Sequence, residues 1–168
     1  MSNTFQSNTT ATQTSTKSLT TNASNTTVNP AIFRITGTIR VVQLYGVITT
    51  TLGANHTAAS WRLNDQTAQV AITSNAGTTL SALVAGTFIS KTGLNTAALT
   101  ASNNAAGVIL EPTALETVVF SEFIMVKKTA ANTDIEYKYS TTDAPTTGVI
   151  QFFLVWQPLS ADAAVTPQ

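Results

Sequence analysis

The chain has 168 residues, 43% hydrophobic and only 10% charged, with eight basic residues against eight acidic ones and no cysteine. Zero net charge leaves no field to draw in nucleic acid or anionic lipid, and the absence of cysteine excludes disulfides and thiolate metal sites. The length suits one domain of about 130–140 residues plus an arm, with a surface weakly protected against self-association.

Residues 1–29 form the arm. Twenty-two of them are Ser, Thr, Asn or Gln, and Lys17 is the only charged side chain. So few apolar groups cannot offset an ordering cost of about 1–2 kcal/mol per residue. The expectation is a tail that is disordered alone and ordered by a neighbouring subunit, with Phe5, Leu19 and Val28 as its apolar anchors. Its β-branched threonines favour an extended path, which suits pairing with strand edges.

Pro30 opens the dense β patterning. Ile32 to Thr36 and Thr38 to Leu52 are rich in Val, Ile, Thr and Tyr, with Gly37 and Gly46 expected at a kink or bulge. Ala58 to Leu63 and Gln69 to Thr73 flank Asn64-Asp65-Gln66-Thr67, side chains that bond their own backbone, which predicts a hairpin. Gly86 to Lys91 reads as a short strand, and Thr92 to Gly107 as either a long loop or a short helix. Three runs follow: Thr117 to Lys128, Asp134 to Thr142 and Val149 to Trp156. Joined by short turns, they predict an antiparallel meander. The last is apolar on both faces, with Ile150, Phe152, Leu154 and Trp156 against Val149, Phe153 and Val155. Two dry faces indicate the centre of a sandwich or a subunit contact. The fold class is therefore all-β: an antiparallel, jelly-roll-like β-sandwich of seven to nine strands over residues 30–159. The N-terminal arm (1–29) precedes it and a C-terminal tail (160–168) follows.

Catalytic chemistry finds little to stand on. His56 is the only histidine, in a loop-like stretch without an acidic neighbour, and reads as a solvated or hydrogen-bonding loop residue. The carboxylates Asp65, Glu111, Glu116, Glu122, Asp134, Glu136, Asp143 and Asp162 sit in no recognisable motif. Glu122 alternates with Phe120 and Ile124 and is expected to point inward. No phosphate loop, nucleophile elbow or calcium loop occurs. Lys127-Lys128 is too short for a nucleic-acid patch. Tyr45, Trp61, Tyr137, Tyr139 and Trp156 lie in alternating runs, which favours core or interface over a sugar-binding face. No apolar run reaches the roughly 20 residues of a membrane span, and nothing resembles a signal peptide. The Asn-x-Ser/Thr triplets at Asn8, Asn22, Asn25 and Asn55 are by-products of composition. The reading is a protein with no enzymatic activity, no cofactor and no metal, and with neither nucleic acid nor membrane as partner.

The stretches ITGTIRVVQLYGVITTTLGANHTAASWRLNDQTAQVAIT (residues 35–73) and IEYKYSTTDAPTTGVIQFFLVWQPL (135–159) resemble small structural proteins of tailed bacteriophages. In particular, they are similar to the β-sandwich decoration, or cement, proteins of icosahedral heads. The resemblance covers about residues 32 to 159 and brings no catalytic residues with it. It implies a homotrimer bound to the major capsid protein, stabilising the shell on the virion head surface after synthesis in the host cytoplasm. Because the strand Val149 to Trp156 has two dry faces, its apolar face is the expected oligomer contact, with Phe153, Val155 and Trp156 as the contact residues. A tail-fibre or receptor-binding module, a single-jelly-roll capsid protein and a small β-sandwich hydrolase are the alternatives.

Overall fold

Alternation of apolar and polar residues at a period of two dominates the chain, and strands are what form. In a computed structural model, residues 11–21, 26–53, 56–76, 80–91, 98–102, 122–127, 132–141 and 147–168 are described. Among them are twelve strands and no helix. They are β1 (Gln13–Thr20), β2 (Thr26–Val28), β3 (Ala31–Thr36), β4 (Thr38–Thr50), β5 (His56–Asn64) and β6 (Gln69–Ala71). Then come β7 (Phe88–Lys91), β8 (Leu99–Ser102), β9 (Phe123–Val126), β10 (Thr133–Thr141), β11 (Val149–Pro158) and β12 (Ala164–Pro167).

Two antiparallel sheets pack against each other. The first has the order β1-β11-β4-β7-β8, with β9 also on β4; the second has the order β12-β3-β10-β5-β6, with β2 on β10. The chain crosses between sheets from β4 to β5 and back from β10 to β11, and β4 pairs with β11 while β5 pairs with β10. That is the winding of a jelly-roll-like sandwich.

The core lies between the sheets. From the second come Phe33, Ile35, Trp61, Ile135, Tyr137 and Tyr139; from the first come Ile39, Val41, Leu44, Ile48, Phe152 and Leu154, all buried. Each such side chain stabilises by about 1.5–3 kcal/mol when fully buried. The Tyr137 ring meets Phe152 across the interface at 4.9 Å, tilted by 52°. Gly46 makes room for that contact, because a Cβ there would come within 3.2 Å of the Phe152 ring.

The hairpin β5–β6 forms as the sequence predicts. Asn64 Oδ1 accepts from Gln66 N at 2.9 Å, and Asp65 Oδ1 accepts from Thr67 N at 2.9 Å and Ala68 N at 2.6 Å. Gly37, however, is more than a kink: it is the corner where the chain leaves the second sheet (β3) for the first (β4). Its φ of +62° suits glycine, and an added Cβ would lie 2.5 Å from Ser160 Oγ and 2.7 Å from Ala163 N.

The meander is corrected. β9 and β11 lie in the first sheet on opposite sides of β4, while β10 lies in the second, so no two of the three pair. Alternation specifies a strand and its inward face, but the winding of the whole chain chooses its neighbour. The arm is corrected too. β1 pairs along its whole length with β11, from Gln13↔Trp156 to Thr20↔Val149, and β2 pairs with the end of β10. Thr21 clamps the junction: its N–H donates to Gly148 O and its Oγ1 accepts from Gly148 N, both at 2.8 Å. A polar strand that cannot bury itself still finds backbone partners on an open sheet edge, and this chain provides two such edges itself. The C-terminal tail likewise joins the second sheet, β12 on β3.

Candidate interaction surface

Cross-strand register sets the chemistry of each outer face. On the outside of the first sheet, Phe153 of β11 lies opposite Tyr45 of β4, their rings 4.8 Å apart and 10° from parallel. Phe88 of β7 stacks on the other side of Tyr45 at 5.1 Å. Val47, Val149 and Val155 share this face, all half-buried. At one end, β9 adds Ile124 and Val126, which are 64% and 61% exposed. Threonines of β1 (Thr14, Thr16, Thr20) border the other side. Arg40 and Glu122 form an exposed ion pair at the β9 end.

The outside of the second sheet is unlike it. Arg34 holds Asp134 through Nε at 2.8 Å and Nη2 at 3.0 Å. Arg62 Nε donates to Glu136 Oε2 at 2.8 Å, and Asn64 Nδ2 donates to Oε1 at 2.6 Å. Lys138 and the Thr27–Ser140 hydroxyl pair, at 2.7 Å, continue the polar rows. The Asp134 carboxylate raises the Arg34 pKa through its hydrogen bond. The outside of the first sheet therefore has an aromatic and aliphatic centre with Gln43 and Gln151 set into it, whereas the outside of the second is ion-paired.

Of the expected contact residues, Phe153 and Val155 lie on the apolar outside. Trp156 is corrected: it points inward, is buried, and donates Nε1–H to Ser15 Oγ at 3.1 Å. It continues the inward row of Ile150, Phe152 and Leu154; the irregularity beside it falls on β4, where Val42 is the extra residue, and leaves that alternation intact. Leu19 and Val28 pack half-buried against this chain's own core, and Phe5 lies outside the described residues. Glu122 is corrected as well, since it faces outward to Arg40. Among the five aromatics considered for a sugar face, Trp61, Tyr137, Tyr139 and Trp156 are core, and Tyr45 alone reaches the surface stack. Phe88 completes that stack through a β4–β7 pairing that sequence alternation does not reveal.

Glu111, Glu116 and Asp143 lie outside the described residues; among the described ones, His56, Tyr137, Asp134 and Glu136 are engaged structurally. His56 is the first residue of β5, not a solvated loop residue, and is 1% exposed. Its Nε2 lies 2.7 Å from the Tyr137 hydroxyl, and its ring stacks on Tyr139 at 4.7 Å. Burial lowers its pKa to about 4 and raises that of Tyr137 well above the ordinary tyrosine value. Imidazole and phenol are thus both neutral at pH 7. Asp134 and Glu136 point to the same side of β10, about 6.5–7 Å apart by strand rise, a separation glycosidases use. Each is nevertheless engaged by a guanidinium across the ladder. Among the described residues no group of three or more His, Asp or Glu is placed to hold a metal, and no helix is long and apolar enough to cross a membrane. Compared with family models, with curated proteins and with solved structures, the chain matches none.

Proposed function

We propose that this protein is a structural virion component: a decoration, or cement, protein that assembles as a homotrimer and binds the major capsid protein on a tailed-phage head, without catalytic activity or cofactor. The observation that carries the reading is the apolar outside of the first sheet, centred on the Phe88–Tyr45–Phe153 stack. An ordinary solvent-facing sheet shows polar side chains there, as the second sheet of this same protein does. Covering the remaining exposed area of each of these three rings stabilises a contact by about 0.5–2 kcal/mol. The second sheet, with its paired charges, suits the solvent side. The virion assignment rests on the sequence resemblance over residues 32–159; the assembly assignment rests on the face.

The test has two parts. The polypeptide is expected on purified particles at a fixed stoichiometry, and the isolated protein is expected to have a trimer's mass at micromolar concentration. Phe153→Lys is expected to give a folded monomer. A wild-type protein that is monomeric at that concentration and missing from particles overturns the proposal.

A further inference from the structure

A strand at the end of a sheet exposes backbone groups that pair readily with another chain, so proteins keep such strands short or interrupt them. β6, β8 and β12 follow that rule with three or four residues each, and β12 contains Pro167. β1 does not. It has eight residues, neither glycine nor proline, and a register with β11 that runs unbroken from Gln13 to Thr20. The hydrogen bond from Thr21 N to Gly148 O, at 2.8 Å, fixes which of its groups are left over. Thr21 and Gly148 continue the β1–β11 register, and along a strand the N–H and C=O of every second residue turn to the same side. Gln13, Ser15, Lys17 and Leu19 therefore direct their backbone groups to β11. Those of Thr14, Thr16, Ser18 and Thr20 point away from it, and none of the four makes a hydrogen bond on that side. Their side chains are exposed, while Ser15, Lys17 and Leu19 are half-buried on the inward side.

This edge is complementary to itself. A second copy running antiparallel pairs with it only where outward residues meet outward residues, so the two-fold axis passes through one residue of the strand. An axis at Thr16, in the middle of β1, sets Thr16 opposite Thr16 and Thr14 opposite Ser18. These are pairs of hydroxyl side chains of the kind that stabilise neighbouring strands. Ser15 then faces Lys17, so each ammonium meets a hydroxyl. An axis at Lys17 would instead set the only charged side chain of residues 1–29 against its own copy on the half-buried row. Axes nearer either end shorten the paired stretch. The Thr16 register makes about six backbone hydrogen bonds from Thr14 to Ser18, two for each of three facing pairs. It covers little apolar area, so it is weaker than a contact through the aromatic face and forms above the micromolar range.

We infer that two copies of this chain pair β1 with β1 across a two-fold axis at Thr16, joining their first sheets into one. The inference goes beyond the proposed function, since it uses the sheet edge and not the aromatic face. Because the chain has no cysteine, disulfide trapping in the full-length protein, well above micromolar concentration, tests it cleanly. Residues opposite each other in a hydrogen-bonded pair lie about 5.5 Å apart at Cα, within the disulfide range of about 4.4–6.8 Å. Thr16→Cys alone is therefore expected to form a cross-linked homodimer, and Thr14→Cys chains mixed with Ser18→Cys chains a heterodimer. Ser18→Cys alone is offset from its own copy by about 13 Å along the strand and is expected to link at least about tenfold less. The same holds for Lys138→Cys, on the outside of the second sheet. Thr16→Pro removes an outward N–H and spares the β1–β11 ladder. Placed in both chains of the Thr14→Cys and Ser18→Cys mixture, it is expected to cut the yield about tenfold. Phe153→Lys is expected to leave the Thr16→Cys link in place. A Thr16→Cys chain that fails to link, or links no better than Ser18→Cys, overturns the pairing; with a trimer's mass retained, the proposed function stands. A yield unchanged by Thr16→Pro, or a link lost with Phe153→Lys, also overturns it. A Thr16 link in a protein otherwise monomeric supports the edge pairing and removes the trimer.

Discussion

Acid should unfold this protein through one residue. His56 is buried against Tyr137 and Tyr139, and desolvation holds its pKa at about 4, while in the unfolded chain it returns to about 6.5. Between those values the unfolded chain binds a proton that the folded one refuses, so stability falls as pH drops through that window and is unaffected by His56 above it. The difference of about 2.5 pH units corresponds to about 3 kcal/mol at 1.36 kcal/mol per unit. Against a typical total of about 5–15 kcal/mol, that is a large share. In urea titrations at pH 7.5, 5.5 and 4, with a slope of about 1–3 kcal/mol per molar, the midpoint should move down by about 1–3 M between the extremes. Carboxylates also titrate in this range, so the measurement that counts is the difference from His56→Gln. This variant retains a polar partner for the Tyr137 hydroxyl and has nothing to protonate. Its pH slope should be shallower by the His56 contribution. Equal slopes in the two proteins, or a folded-state His56 resonance titrating near pH 6.5, refute the reasoning.

Removing one partner of a buried ion pair should cost far more than removing one of an exposed pair: Glu136→Ala, which strands Arg62 and Asn64, is expected to lose about 3–5 kcal/mol. Arg40→Ala, on the exposed pair with Glu122, should lose no more than about 1 kcal/mol, both read by chemical denaturation. Gly37→Ala should destabilise by at least about 2 kcal/mol, since it combines a positive φ with a backbone clash. Gly86→Ala, also at positive φ but with open space around it, should cost about half that. Deleting residues 1–11 should leave the melting transition within about 2 °C of wild type, as no described strand is lost. Deleting residues 1–29 removes β1 and β2, bares the β11 edge, and should yield aggregation-prone protein by light scattering.

Much of the fold was legible because alternation is a local signal. Ile135, Tyr137 and Tyr139 point inward and Glu136 and Lys138 outward as their spacing requires, and the side chains of Asn64 and Asp65 close the predicted turn. The two dry faces of Val149 to Trp156 were legible as well, and they mark the apolar outside on which Phe153 and Val155 lie. Trp156 belongs to the inward row of Ile150, Phe152 and Leu154 that alternation itself gives, so grouping it with Phe153 and Val155 as a contact residue went against the pattern. His56 was misread because its burial comes from Tyr137 and Tyr139, about eighty residues away, and not from its polar sequence neighbours.

Composition and period-two patterning, by themselves, determined the all-β class, most strand positions, the inward faces and the shortage of surface charge, since each depends on residues close in sequence. Only the tertiary structure decided which strands pair. It brought Gln13–Thr20 onto the edge of β11, separated β10 from β9 and β11 into different sheets, stacked Phe88 on Tyr45, and opened a groove between β9 and β6. The reason is physical: a strand's hydrogen-bonding edges are nearly alike whatever its sequence. Its partner is therefore set by which pairings let all the apolar faces close on one core at once, and that condition belongs to the whole chain.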